Sequence, residues 1–397
     1  MISEVLGQIA PVSGLNPHPI SRLVVDAHHA SRRPEYPELA NQSGIPFLVD
    51  PLTFLWQSPV REDHRWAKLP FGQASALSSQ VLEDPFERER IAVLAVDFQR
   101  SNGATAIIPP YPYVDGPSDP WFEIALDLID RTASYLSAAG VRLPMVPLLC
   151  FKVQAFATQQ GLESGIDRFV EVANRHDVGF VAAMPSPAGG KDDGISKTRG
   201  VFRTLLRLNE ARARVIAWRQ GAMGQALVAA GMAGYETGLG TGEVMDVSSK
   251  RAQFKPRASK SNGGGGNDFV YIQLFNRSIR RRVAEVLFRD PLLGPKLMCD
   301  DGACCPTLTE TLSTQRRGHA VRSRARQLRE LDSQPHREWR LFQVASEAQQ
   351  AAAAATHANR VLEANPPTTG KMTAHPKLGV KGFESIAAVA RELSSLS

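Results

Sequence analysis

Short apolar or β-branched runs alternate with helix-forming segments along most of this chain, and that alternation constrains the fold more than any other feature. The runs are 23–29 (LVVDAHH), 46–51 (PFLVDP), 104–110 (ATAIIPP), 143–150 (LPMVPLLC), 178–184 (VGFVAAM), 214–219 (RVIAWR), 234–237 (GYET) and 269–274 (FVYIQL). Helical periodicity fills 86–100, 121–139, 161–176, 198–213 and 223–230 between them. Strands that read as continuous apolar runs belong to parallel sheets covered on both faces. Eight of them with crossover helices predict a (β/α)8 TIM barrel, with a doubly wound open sheet as the structural alternative.

The length of 397 residues suits such a barrel over 1–298, followed by a mainly helical C-terminal module over 299–397. Hydrophobic content of 43% with 22% charged residues excludes wholesale disorder. No apolar run approaches the roughly 18 to 20 residues of a membrane span. Residues 1–19 lack a basic leader and an apolar core, so a cytoplasmic protein is expected, with no membrane partner. Beyond the eighth run, helices are predicted over 278–288, 319–331, 343–362 and 382–396, with a linker at 366–370.

Charge is unevenly placed. The net charge is +6, yet 250–340 alone holds 19 Lys and Arg against 9 Asp and Glu. A basic region on a mildly acidic body suits a partner that offers phosphates, nucleic acid above all; a solvated arginine-rich helix is the plainer alternative. Two long loops interrupt the alternation and are expected to be mobile: 58–84, and 247–267 with Lys250, Arg251, Lys255, Arg257 and Lys260 ahead of SNGGGGN.

Four cysteines are too few for a disulfide framework, and Cys299, Cys304 and Cys305 are crowded together. With His319 they give C-x4-C-C-x13-H, three sulfurs and one nitrogen, the donor set of a closed structural zinc site. The alternative is that Cys304 and Cys305 are ordinary small residues and His319 a helix-capping or phosphate-contacting one. Asp26 and Asp50 follow the first two apolar runs, at the strand ends where barrel enzymes keep catalytic groups. Either aspartate also suits a plain strand end. His28 and His29 are adjacent, and in a strand adjacent rings diverge, so no histidine-based metal site is expected there. Lys152, past the fourth run, is a weaker candidate for Schiff-base chemistry.

The segment 215–243 is the most informative. One strand ends at Arg219, Gln220 and Gly221, a helix crosses over, and a second strand ends in Gly238-Leu239-Gly240-Thr241-Gly242-Glu243. Glycines at a strand end let backbone amides approach a flat or anionic ligand. This βαβ unit, followed by a basic loop, a cysteine cluster and a histidine at a helix start, resembles the tRNA-guanine transglycosylase family over about 215–319. The family pattern is a strand ending V-Q-G-G and a second reading roughly G-Y-A-I-G-G-L-A-V-G-E.

The resemblance implies a zinc-containing TIM barrel that exchanges guanine in tRNA or DNA for a 7-deazaguanine base. Gln220, Gly238, Leu239 and Gly240 would then lie against the base, with Arg219, Gly221 and Glu243 beside them, and Asp26 and Asp50 would supply the two carboxylates. The sequence departs from the family in three places: T-D-S-G-G-F-Q is absent, Asp50 in LVDPLTF being its nearest substitute; Gln273 or Asn276 stands where the eighth strand should bear an aspartate; and the family's C-x-C-x2-C spacing has become C-x4-C-C. Two further classes therefore stay open: a barrel enzyme for a small phosphorylated metabolite, and a degenerate barrel that binds nucleic acid. A homodimer or partner subunits are compatible with each.

Overall fold

A computed structural model describes residues 20–176, 178–190, 192–211, 214–238, 243–256, 269–299, 301–302, 304–305, 307–308, 316–367 and 377–395. In chain order the main elements are β1 (Leu23–Asp26), α1 (Ala27–Ala30), α2 (Glu35–Gln42), β2 (Phe47–Asp50), α3 (Pro85–Ser101), β3 (Tyr113–Val114) and α4 (Pro120–Ala138). Then follow β4 (Leu148–Lys152), α5 (Asp167–Asn174), β5 (Val181–Ser186), α6 (Ile195–Glu210), β6 (Val215–Ala217), α7 (Ala222–Ala229), β7 (Gly234–Tyr235) and α8 (Val247–Phe254). The chain ends with β8 (Phe269–Ile272), β9 (Arg277–Arg280), α9 (Arg281–Phe288), α10 (Arg316–Asp332), α11 (Arg337–Ala364) and α12 (Lys381–Ser395).

Two compact units form, and they interleave along the chain. The first comprises 1–187, 203–218 and 246–261; the second comprises 188–202, 219–245 and 262–397. The boundary expected between 298 and 299 falls inside the second unit. The fold class is mixed α/β with parallel strands and helices.

In the first unit the strands lie side by side in sequence order, all parallel. β1 pairs with β2 in the register Leu23↔Phe47 to Asp26↔Asp50. Leu48 bridges Ala106, Ile107 bridges Met145, β4 pairs with β5, and β5 with β6. Phe47–Asp50 and Val181–Ser186 are buried at every position, as strands with both faces covered must be. The flanking helices start where the sequence says they should. Asp84 and Asp119 each accept a hydrogen bond from the backbone N–H two residues on, at 2.9 and 3.1 Å, and a proline follows each cap.

Two expectations change here. The stretch after Ser58 is no loose loop: Trp66 is fully buried with its indole N–H on the Pro51 carbonyl (2.9 Å), and Trp56 bonds the Phe71 carbonyl (2.9 Å). Its apolar anchors hide among polar residues, which is why composition suggested mobility. The expected helix at 278–288 begins later, because 277–280 form β9, which runs antiparallel to β8. Asn276 turns the hairpin with φ 43°, a left-handed conformation that asparagine tolerates. The eighth strand is thus one arm of a hairpin, unlike the eighth parallel strand of a barrel.

In the second unit Val270, Ile272, Phe275, Ile279, Val283 and Leu287 share a core with Ala351, Ala355, Leu362 and Phe383. α11 turns alanines inward at 345, 348, 351, 352, 355 and 358, so neighbouring helices can approach its backbone. The loop 257–268, with Arg257 and Lys260, lies outside the described residues, as do Leu239, Gly240 and most of the 366–370 linker.

Candidate metal centre and glycine turn

Within the second unit, ligand atoms of Cys299, Cys304, Cys305 and His319 all lie within 4.8 Å of one another, and this group could hold a metal ion. The sulfurs of Cys304 and Cys305 are 3.7 Å apart, and they stand 3.5 and 3.3 Å from His319 Nδ1. Metal–sulfur bonds of roughly 2.3 Å and metal–nitrogen bonds of roughly 2.0 Å in a tetrahedron require edges of roughly 3.8 Å (S–S) and roughly 3.5 Å (S–N). The spacing therefore suits one tetrahedral ion. Adjacency of Cys304 and Cys305 is no obstacle, because their backbone N–H groups both turn onto the Asp301 carbonyl at 2.9 Å.

The second ring nitrogen of His319 faces the Tyr271 carbonyl at 3.2 Å. A proton there leaves Nδ1 with its lone pair toward the sulfurs, the usual outer-sphere device for a ligating histidine. The charges ask for a cation. Burial opposes charging His319, yet Cys299 and Cys305 lift its pKa to about 9. Cys299 is pulled well below the usual thiol range by hydrogen bonds from Cys304 and Cys305, while contact with Cys299 and Cys305 pushes Cys304 far up. A dication bound there would favour the thiolate form of its cysteine ligands.

The same helix that carries His319 reaches Gly238 and Glu243, on either side of the glycine-rich segment. Arg324, one turn further along α10, donates to the Gly238 carbonyl (3.2 Å) and to Glu243 Oε1 (2.6 Å). Glu243 also accepts from the Ser278 hydroxyl (2.6 Å) and backbone N–H (2.9 Å). Burial works against the Arg324 charge, but Glu243 more than compensates, and its pKa rises. The guanidinium also stacks 4.5 Å from the Tyr271 ring centre. Glu243, expected beside a bound base, is thus buried, with its carboxylate bonded to Arg324 and Ser278.

Arg219, Gln220 and Gly221 are also placed by internal contacts. The Arg219 N–H donates to Glu236 Oε2 (3.1 Å), and the Gln220 N–H to the Glu236 carbonyl (3.2 Å). Gly221 has φ 51°, and a Cβ there would meet Val244 Cγ2 at 2.6 Å, so glycine is required by the backbone itself. The basic helix is partly consumed internally as well: Arg324 is buried, and Arg326 bonds Gln273 and sits 3.8 Å from Glu330.

The two aspartates belong to the first unit, as register partners at the ends of β1 and β2. Asp50 is fully buried, and its Oδ1 accepts from the Tyr111 hydroxyl (2.6 Å) and the Leu52 N–H (2.9 Å). Asp26 keeps 14% side-chain exposure, with Lys250 Nζ 3.4 Å from Oδ2. His28 and His29 occupy a helical turn, α1, where the sequence suggested a strand; their ring centres are 4.2 Å apart. Burial holds His28 down to about 3 against the pull of Asp26, and burial with Arg61 holds His64 down to about 4. Lys152 pairs with Asp115 at 3.4 Å on the surface.

No family model, curated protein or solved structure matches this chain. No described helix is long and apolar enough to cross a membrane.

Proposed function

We propose that the chain is a nucleic-acid ribosyltransferase of the transglycosylase type, exchanging guanine for a 7-deazaguanine base in tRNA or DNA on a (β/α)8-related scaffold. The observation that carries this reading is a single helix, α10, that supplies both the histidine of a Cys3His cluster and the arginine that bonds Gly238 and Glu243, the residues on either side of the glycine-rich segment. In the family the sequence resembles, a zinc site and a base-binding turn follow one another in the same order. Zinc would cross-link the 299–305 segment to α10 and so hold that helix in register. The sequential parallel strands of the first unit support the scaffold.

Exchange requires a carboxylate at the anomeric carbon and a basic surface for the backbone. Of the two expected carboxylates, Asp26 alone keeps exposure. The experiment is incorporation of labelled guanine into tRNA and into double-stranded DNA, with binding followed across salt concentration. Incorporation with affinity falling steeply in salt is expected; absence of both incorporation and low-salt binding overturns the reading.

A further inference from the structure

We infer that Asp26, His28 and His29 form a second metal site, for a divalent transition ion, distinct from the cysteine cluster. It lies wholly in the first unit, so it is argued without the base-exchange reading. One ligand atom from each residue falls within 4.8 Å of the others. Two imidazoles and one carboxylate make a facial set that leaves coordination positions open, unlike the closed Cys3His set.

The local fold explains how adjacent histidines converge. β1 ends at Asp26 and the chain turns into α1 at Ala27, so successive side chains step about 100° around a helix axis instead of alternating across a sheet. Their rings then come to 4.2 Å, tilted by 38°. His28 is buried with only 7% exposure, and its Nδ1 has no hydrogen-bond partner among the described residues. A buried imidazole nitrogen left unpaired is costly, and a metal would use that lone pair. The surrounding wall is aromatic: Phe254 meets His28 edge-on at 5.6 Å, and the His64 ring lies 5.3 Å away.

The neighbouring charges define what else the ion would bind. Lys250 lies 3.4 Å from Asp26, and Arg32, Arg61 and Arg65 add positive potential around the histidines. One carboxylate leaves a bound dication with net positive charge, so the open positions face an environment suited to an anionic oxygen ligand such as a phosphate. Under this assignment Asp26 is a metal ligand and cannot also be the attacking carboxylate of the base-exchange reading, so the two readings compete for this residue.

Full-length protein stripped with a chelator and titrated with Co2+ tests the inference, because the two sites differ in colour. The cysteine site gives thiolate-to-cobalt charge-transfer absorption; the Asp26 site gives visible bands without it. A second equivalent of Co2+ that adds visible absorption alone is expected. His29→Ala, at an exposed position, and Asp26→Asn should each weaken that equivalent at least about tenfold while leaving the thiolate band intact. Lys250→Ala, which removes a competing cation, should tighten it. Saturation by the thiolate band alone, or a second equivalent untouched by His29→Ala and Asp26→Asn, overturns the inference; loss of only the thiolate band overturns the cysteine site and not this one.

Discussion

At the scale of single residues, the second unit depends on buried groups that satisfy each other. The Arg324–Glu243 pair has side chains only 6% and 9% exposed, and removing one partner strands the other's charge. Arg324→Met is expected to destabilise the unit by about 3–5 kcal/mol, and Arg324→Met with Glu243→Leu by much less, since the second change removes the orphaned carboxylate. Urea unfolding of both variants checks this, and equal losses would sink it. Glu347 is a second case. Burial raises its pKa even though Gln343 and Gln225 both donate to it. A carboxylate whose folded pKa exceeds its unfolded one contributes stability at low pH that is lost as pH rises past the ordinary value, roughly 4.5. Wild-type protein should therefore lose that increment between acid and neutral pH, and Glu347→Gln should show a flatter dependence over the same window.

At the scale of elements, legibility in the sequence followed the strength of local chemistry. The starts of α3 and α4 were readable because Asp-Pro pairs combine a side-chain cap with a preset φ. The hairpin of β8 and β9 was not, because RSIR carries arginines where a strand signal needs alternation, and the turn depends on one left-handed asparagine. The convergence of His28 and His29 was hidden for a related reason: the apolar run LVVD gives no sign that the strand stops at Asp26. Cys299, Cys304, Cys305 and His319 stand out by residue type, whereas the pairing of Arg324 with Glu243 is not legible, because the two residues are 81 positions apart. The alanine face of α11 also makes a testable demand. Ala355 is fully buried in the core shared with Phe383 and Leu287, so Ala355→Leu should cost about 1–3 kcal/mol by overpacking. An unchanged denaturation midpoint would show that this face has room.

At the scale of the whole molecule, the two interleaved units give metal removal a specific signature. A structural zinc contributes about 10–16 kcal/mol in small domains, comparable with the entire stability of a typical fold, about 5–15 kcal/mol. The cysteine cluster ties the 299–305 segment to α10, and α10 in turn holds Glu243 and Tyr271 through Arg324. Losing an ion bound at that cluster should therefore loosen the second unit first. Trp56, Trp66 and Trp218 are buried in the first unit, and Trp339 of the second is already exposed, so loss of the blue-shifted part of the tryptophan emission reports on the first unit's core. Much of the long helix, α11 above all, belongs to the second. Cys304→Ser, or chelation of wild-type protein, is expected to reduce far-UV helical signal and bring forward its thermal transition while the tryptophan emission stays blue-shifted. A simultaneous collapse of both signals would mean that the units unfold as one, and a helical signal indifferent to the chelator would remove the metal from the stability of this fold.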